Sequence, residues 1–365
     1  MSLECGIVGL PNVGKSTLFN ALTKGKAEAA NFPFCTIDPN EGVVLVPDPR
    51  LSTIADLIGS KELIPTTIKF VDIAGLIKGA KESKLGNEFL GHIRQVDAIL
   101  HAVRCFDDPD IIHVSGSVDP ARDIEIISTE LMISDLDSME KKYQKLEKQI
   151  KGSTDKKLKA EFEVVGLFKA ALSEGKPARS VELPKELQEI ARLQHLLTTK
   201  PVLYVCNVSE EDLNNPSNPW VQSVAKIAES EGNKYVVISS RLESEIAQLD
   251  SAEQKDFLDS VGLVEPGLHR LIREAYKLLN LITYFTAGPK EARAWTITDS
   301  TRAPEAAGKI HSDFEKGFIR AETYNCEDLF RLKTEAAVKA AGLYKSEGKD
   351  YIVKDGDIML FRFNV

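Results

Sequence analysis

Gly9-Leu10-Pro11-Asn12-Val13-Gly14-Lys15-Ser16 is the stretch that decides how the rest of the chain is read. It matches GxxxxGK[ST], the loop that cradles nucleotide phosphates. The apolar run Leu3–Val8 precedes it as a strand, and Ser16–Thr23 follows as a helix. That strand–loop–helix setting is the context the pattern requires. Gly9 and Gly14 let the backbone fold tightly, so that its N–H groups face the phosphates. The helix start adds its positive end. Lys15 is placed to reach the β- and γ-phosphates as both a binding and a catalytic cation, and the Ser16 hydroxyl to ligate Mg²⁺. Asn12, Val13, Gly14 and Thr17 complete the expected phosphate side of an ATP site.

Further signals lie downstream at the ends of strand-like runs. Ile68–Ile73 carries Asp72, and Asp72-Ile73-Ala74-Gly75 matches DxxG. A carboxylate there holds Mg²⁺, through water in the expected arrangement, and the Gly75 N–H faces the γ-phosphate. Between the two motifs, Phe32-Pro33-Phe34-Cys35-Thr36 offers Thr36 as a switch threonine that completes the Mg²⁺ shell. The residue after Gly75 is Leu76, where many GTPases place a water-orienting glutamine. Leucine cannot hold a water, so hydrolysis is expected to be slow unless another group supplies that function. After Pro201–Cys206 comes Asn207-Val208-Ser209-Glu210, where a GTP-binding protein would carry Asn-Lys-x-Asp. Glu is one methylene too long for that Asp, and a carboxylate would repel adenine N1. Asn207 (toward N6 or N7), Val208 (packing on the base) and Glu210 form the expected base side. Without the guanine-reading carboxylate most guanine discrimination is lost, so ATP is expected over GTP.

The organisation fits. Ala98–Phe106, Pro201–Cys206 and Tyr235–Ile238 are further strand-like runs, and Asn87–Gln95 reads as a helix. Strands separated by helices imply an α/β domain with a mainly parallel sheet covered on both faces. From about 120 to 200 there is no strand signal. Met132, Leu136, Met139, Tyr143, Leu146 and Ile150 form a heptad seam, resumed by Leu158, Phe162, Val165, Phe168 and Leu172 beyond a turn at Gly152–Asp155. This predicts an inserted antiparallel helical hairpin. Its outer face carries Lys141, Lys142, Lys145, Lys148, Lys151, Lys156, Lys157 and Lys159, interleaved with acids. That is either a solvated coiled-coil face or a docking arm for an anionic partner such as RNA. From about 281 a small α+β module is expected, with a hairpin in which Tyr351–Val353 turns through Lys354-Asp355-Gly356-Asp357 into Ile358–Phe363.

The 365 residues are 43% hydrophobic and 28% charged, enough for more than one core. The net charge of −9 argues against a protein built mainly to grip nucleic-acid phosphates, and no DNA partner is expected. Five scattered cysteines without CxxC spacing support neither a disulfide framework nor a zinc site. No membrane span or signal peptide is read.

Taken together, these motifs resemble the Obg-related P-loop family, in its YchF or Obg-like ATPase branch. Ala306–Phe314 and Gly317–Glu322 are similar to that branch's TGS module. The resemblance implies a Ras-like G-domain over 1–280 with a coiled-coil insert at about 125–198, and a β-grasp TGS domain over 281–365. It implies an ATPase of the cytoplasm that associates with the ribosome (large subunit or intersubunit region) and its rRNA. A GTPase of the Obg class is the alternative. It implies that Leu76 replaces the catalytic glutamine, that Asn12 holds an activating K⁺, and that His113 in Ile112-His113-Val114 positions water. Ser239-Ser240-Arg241 departs from the family's base-contact pattern and receives no role.

Overall fold

The computed structural model describes residues 3–24, 40–73 and 84–364, so Thr36, Gly75 and Leu76 lie outside the described residues. The chain forms two compact units, 1–42 with 69–270 and 43–68 with 271–365.

In chain order the elements of the first part are β1 (Glu4–Val8), α1 (Lys15–Thr23), β2 (Glu41–Leu45), α2 (Pro49–Ile58), β3 (Glu62–Ile64), β4 (Thr67–Asp72), α3 (Lys84–Gln95) and β5 (Ala98–Arg104). The first sheet has the order β2-β4-β1-β5-β6-β7, with β6 (Val202–Asn207) and β7 (Lys234–Ile238). β1 pairs in parallel with β4 and β5, β5 with β6, and β6 with β7. β5 and β6 are buried at every position, which is why they read as unbroken apolar runs rather than alternating ones. The order reverses on either side of β1. Open parallel sheets bind ligands at such a switch point, beyond the carboxyl ends of the strands. The P-loop leaves β1 there, and Asp72, Arg104 and Asn207 end the neighbouring strands.

Between β5 and β6 run α4 (Pro120–Ile150), α5 (Lys156–Ser173) and α6 (Lys185–Arg192). Asp119 caps α4 ahead of a first-turn proline, and Asp155 caps α5. The heptad residues bury Met139 and Leu146 of α4 against Val164, Val165, Phe168 and Leu172 of α5. Tyr143 stacks on Phe162 with centroids 4.7 Å apart, and Lys142 pairs with Glu161 at 2.6 Å. Lys145, Lys148, Lys151, Lys156, Lys157 and Lys159 stay exposed. The arm is rooted by buried Asp135, whose carboxylate accepts from Leu197 N (2.9 Å), Thr198 N (2.8 Å) and Thr198 Oγ1 (2.7 Å) just ahead of β6. β6 leads through α7 (Pro219–Ser230), β7, α8 (Ser240–Ile246) and α9 (Ser251–Ser260) to α10 (Gly267–Leu278), which carries the chain into the second unit.

The second unit holds β8 (Leu281–Ala287), β9 (Glu291–Thr298), α11 (Ala303–Ile310), α12 (Ser312–Lys316), β10 (Phe318–Asn325), α13 (Cys326–Leu332), α14 (Glu335–Ala340), β11 (Lys345–Glu347) and β12 (Asp357–Phe363). Its sheet order is β11-β10-β12-β8-β9-β3. The unit differs from the sequence expectation in two ways. It starts at Leu271 and takes in 43–68, which the reading of 1–280 as one domain had placed elsewhere. The cause is packing: Leu51, Ile54 and Ala55 of α2 share a core with Phe285, Ala292 and Leu329, and β3 pairs with β9. The hairpin expected over 351–363 is also absent. Tyr351–Val353 makes only an isolated bridge, Ile352 to Arg302, while β12 pairs with β10 and β8. Asp357 accepts from Lys354 N (3.0 Å) and Tyr351 Oη (2.7 Å), which closes the Asp-Gly turn on itself and sends β12 to other partners.

Among the described residues no helix is long and apolar enough to cross a membrane. Asp135→Ala leaves three donors without their acceptor, so it should cost about 2–4 kcal/mol. Urea unfolding followed by far-UV circular dichroism checks this, with Ser138→Ala on the same helix as the neutral control.

Candidate nucleotide site

Gly14 has φ 93° and serves as the residue before α1, its carbonyl accepting from Leu18 N at 2.9 Å. A Cβ there would collide with Asn207 Nδ2, so both conformation and space demand glycine. Asn12 also sits at positive φ (61°). The Lys15 side chain is buried, and its Nζ donates to Leu10 O at 2.7 Å. Burial pulls its pKa down to about 8, opposed by the charge of Asp72. Across from it, Ser16 Oγ lies 3.3 Å from Asp72 Oδ2, while Asp72 Oδ1 is buried and has no hydrogen-bond partner among the described residues. Burial raises the Asp72 pKa against the pull of Lys15 and Ser16. An orphaned carboxylate oxygen beside a hydroxyl, next to a phosphate loop, fits a hydrated divalent cation. Ser16 and Asp72 are the residues that would hold it.

On the base side, the Asn207 amide meets protein through both its nitrogen and its oxygen. Its Nδ2 donates to Val13 O at 2.9 Å, and its Oδ1 accepts from Ser240 N at 2.8 Å. Asn207 thus braces the P-loop against the start of α8, a task beyond the purine contact that the sequence suggests. Val208 is buried, its N–H donating to Ile238 O at 2.9 Å. These groups border a cavity of about 930 Å³ that also touches Asn12, Thr17, Phe106 and Trp220. Glu210 stands on its rim, 3.6 Å from Arg241 Nε.

The loop after β5 forms another wall. Arg104 is buried and donates to the carbonyls of Phe106 (3.1 Å), Ile111 (2.9 Å) and Asp108 (3.4 Å), with its guanidinium 4.6 Å from the Phe106 ring centroid. Asn12 Nδ2 donates to Ile112 O at 3.1 Å. The next residue, His113, is buried rather than presented at the loop surface. Its Nδ1 accepts from Ser115 N at 3.1 Å, so the proton resides on Nε2, which meets Asp123 Oδ2 of α4 at 2.9 Å. Both ring nitrogens are engaged, and neither is offered to a water at the P-loop in this arrangement.

Comparison with known proteins decides the family. A family model called YchF-GTPase_C, described as a protein of unknown function, matches residues 281–364, and one described as a 50S ribosome-binding GTPase matches 4–159. The ribosome-binding ATPase YchF of Escherichia coli O157:H7 is 54% identical over the whole of both chains, and that of Bacillus subtilis 52%. Obg-like ATPase 1 of Gallus gallus is 46% identical over all of this chain and 93% of its own. A solved structure of the Schizosaccharomyces pombe YchF GTPase superposes with a TM-score of 0.89 at 41% identity, covering 99% of this chain and 98% of that one. The chain belongs to the YchF family. In this YchF member, Phe106, Trp220 and the Ser239–Arg241 segment line the cavity, and Arg104 holds the loop that carries Phe106, although sequence reasoning gave them no part. Ser239 had a signal, since its hydroxyl caps α8 by accepting from Leu242 N, an ordinary helix-start pattern. Arg104 had none: a strand-terminal arginine looks like any surface cation until its loop folds over it.

The Lys15 shift makes a signed prediction. A lysine whose pKa falls from its usual value to about 8 binds fewer protons folded than unfolded between those limits. The nucleotide-free protein should therefore gain stability as pH rises from 8 toward 10. Lys15→Met should remove that gain. Denaturant midpoints of both proteins at pH 7.5 and 9.5 test it, and equal slopes would contradict the assignment.

Proposed function

We propose that this chain is a Mg²⁺-dependent ATPase that binds ribosomes and works as a nucleotide-dependent switch. The observation that carries the nucleotide choice is the state of the carboxylates by the base cavity. Glu210 is paired with Arg241 on the rim, and Asp212 accepts from Ser209 Oγ (3.2 Å) and Asn215 Nδ2 (2.8 Å). A guanine entering there meets neither as the free acceptor its N1–H and N2 amino group need, so the discrimination available to a dedicated GTPase is forfeited. The curated relatives named above carry ATPase in their names, whereas the Schizosaccharomyces pombe protein is called a GTPase. Steady-state kinetics should give ATP a kcat/KM at least about tenfold above GTP; equal values would return the chain to the GTPase reading.

In this mechanism Lys15 leaves Leu10 O for the phosphates, and the N–H groups at the start of α1 hold the terminal phosphates in line. Mg²⁺, when bound, would neutralise the negative charge that develops on the phosphates. Ser16 and Asp72 would hold it, with Thr36 completing the set, and Gly75 and Leu76 following the γ-phosphate. Asn12, whose nitrogen holds Ile112 O, would offer its side-chain oxygen to K⁺. His113 orients water only once it leaves Asp123. The loop favours such a rearrangement, because Ile112 (79% exposed) and Val114 (53%) face outward around a buried histidine. Turning the loop over would bury apolar surface and release the imidazole. His113→Ala should lower kcat by about 10²-fold with ATP affinity unchanged; unaltered turnover would remove His113 from the mechanism.

The switch reading rests on Leu76, since a site without a water-holding side chain at that position turns over slowly until a partner rearranges it. The cytoplasm is the compartment where such a protein meets ribosomes. The exposed arm lysines suit an RNA surface. Reversing Lys145, Lys148 and Lys156 to Glu should reduce co-sedimentation with ribosomes and leave ATP turnover without ribosomes intact; undiminished co-sedimentation would exclude the arm.

A further inference from the structure

A second cavity, of about 230 Å³, lies between the sheet and the arm root and shares no lining residue with the nucleotide cavity. Its walls are Ile99 and Val202 of the sheet, Ile124, Ile127 and Leu131 of α4, and Ile227 of α7. One end is polar. Tyr204 Oη donates to Glu231 Oε2 at 2.8 Å, and Arg179 pairs with the same oxygen at 3.2 Å. These groups satisfy one another and leave no net charge. His101 completes that end, only 4% exposed and tilted against the Tyr204 ring at 5.6 Å, yet it makes no hydrogen bond to another described residue. Burial, then the charges of Lys15 and Arg179, push its pKa down to about 3, so it stays neutral with one donor and one acceptor nitrogen. A buried polar ring without a protein partner marks a place where something else is expected to bond.

We propose that this cavity is a binding site for a small, neutral, mainly apolar molecule carrying a single N–H or O–H that bonds to His101. The polar end holds no unpaired charge to compensate an ion, and the aliphatic walls would strip an ion of its hydration. Size follows from cavity scale: an engineered 150 Å³ apolar cavity takes benzene, so this one takes about nine heavy atoms. Ala121, Glu125 and Gly175 form an exposed rim through which such a molecule can enter.

Indole has that size and a single N–H; indene keeps the shape and lacks the N–H. Calorimetric titration of the full-length protein should show one indole site. Indene should bind at least about fivefold more weakly. Ser128→Phe, on the half-buried face of α4 that lines the cavity, should abolish binding of both. His101→Leu should erase the difference between the two probes, and circular dichroism confirms folding of each variant. No indole binding at millimolar concentration, equal affinity for indole and indene in the unaltered protein, or indole binding unchanged by Ser128→Phe would each overturn the proposal. The probe comparison in the unaltered protein keeps the test decisive if His101→Leu does not fold.

Discussion

One side chain amide holds the nucleotide site together. Asn207, at the end of β6, spans from Val13 in the P-loop to Ser240 at the start of α8. Three segments far apart in sequence are thereby brought to a common geometry. The P-loop must be glycine at position 14 because Asn207 occupies the space a side chain would need. The base wall exists because the same residue fixes the loop of Val208–Glu210 beside Ser239–Arg241. The phosphate loop and the base-side wall therefore share one mechanical support.

A second chain of contacts leads from that site to the helical arm. Asn12 holds Ile112 O, the next residue binds Asp123, and Asp123 lies in the first turn of the arm's first helix. Arg104 stiffens the near half of the same loop by filling three carbonyls. The loop thus touches the P-loop on one side and the arm on the other. It buries its histidine and exposes Ile112 and Val114 on either side of it.

How much of this was legible follows from range. The P-loop, Asp72 and the heptad arm are local patterns, set by glycine positions, strand ends and a repeating seam, and they reappear where the sequence placed them. The pairing of β3 with β9 joins residues more than two hundred positions apart, and β3 is short and mostly exposed, so no local pattern announces it. Tyr351–Phe363 carries a good Asp-Gly turn, but the Asp357 carboxylate closes it locally and β12 finds better partners elsewhere. Asn207 is legible as part of the site, but its bracing contacts are not, because a motif names the residue and only the fold shows which atoms its amide meets.

The brace can be tested apart from base reading. Binding of ATP, GTP and inorganic tripolyphosphate to Asn207→Ala, measured by calorimetry against the unaltered protein, separates the two. If Asn207 acts by holding the P-loop, all three ligands weaken by the same factor, about tenfold or more. If ATP alone weakens while tripolyphosphate binds as before, Asn207 reads the base and the account of the site is wrong.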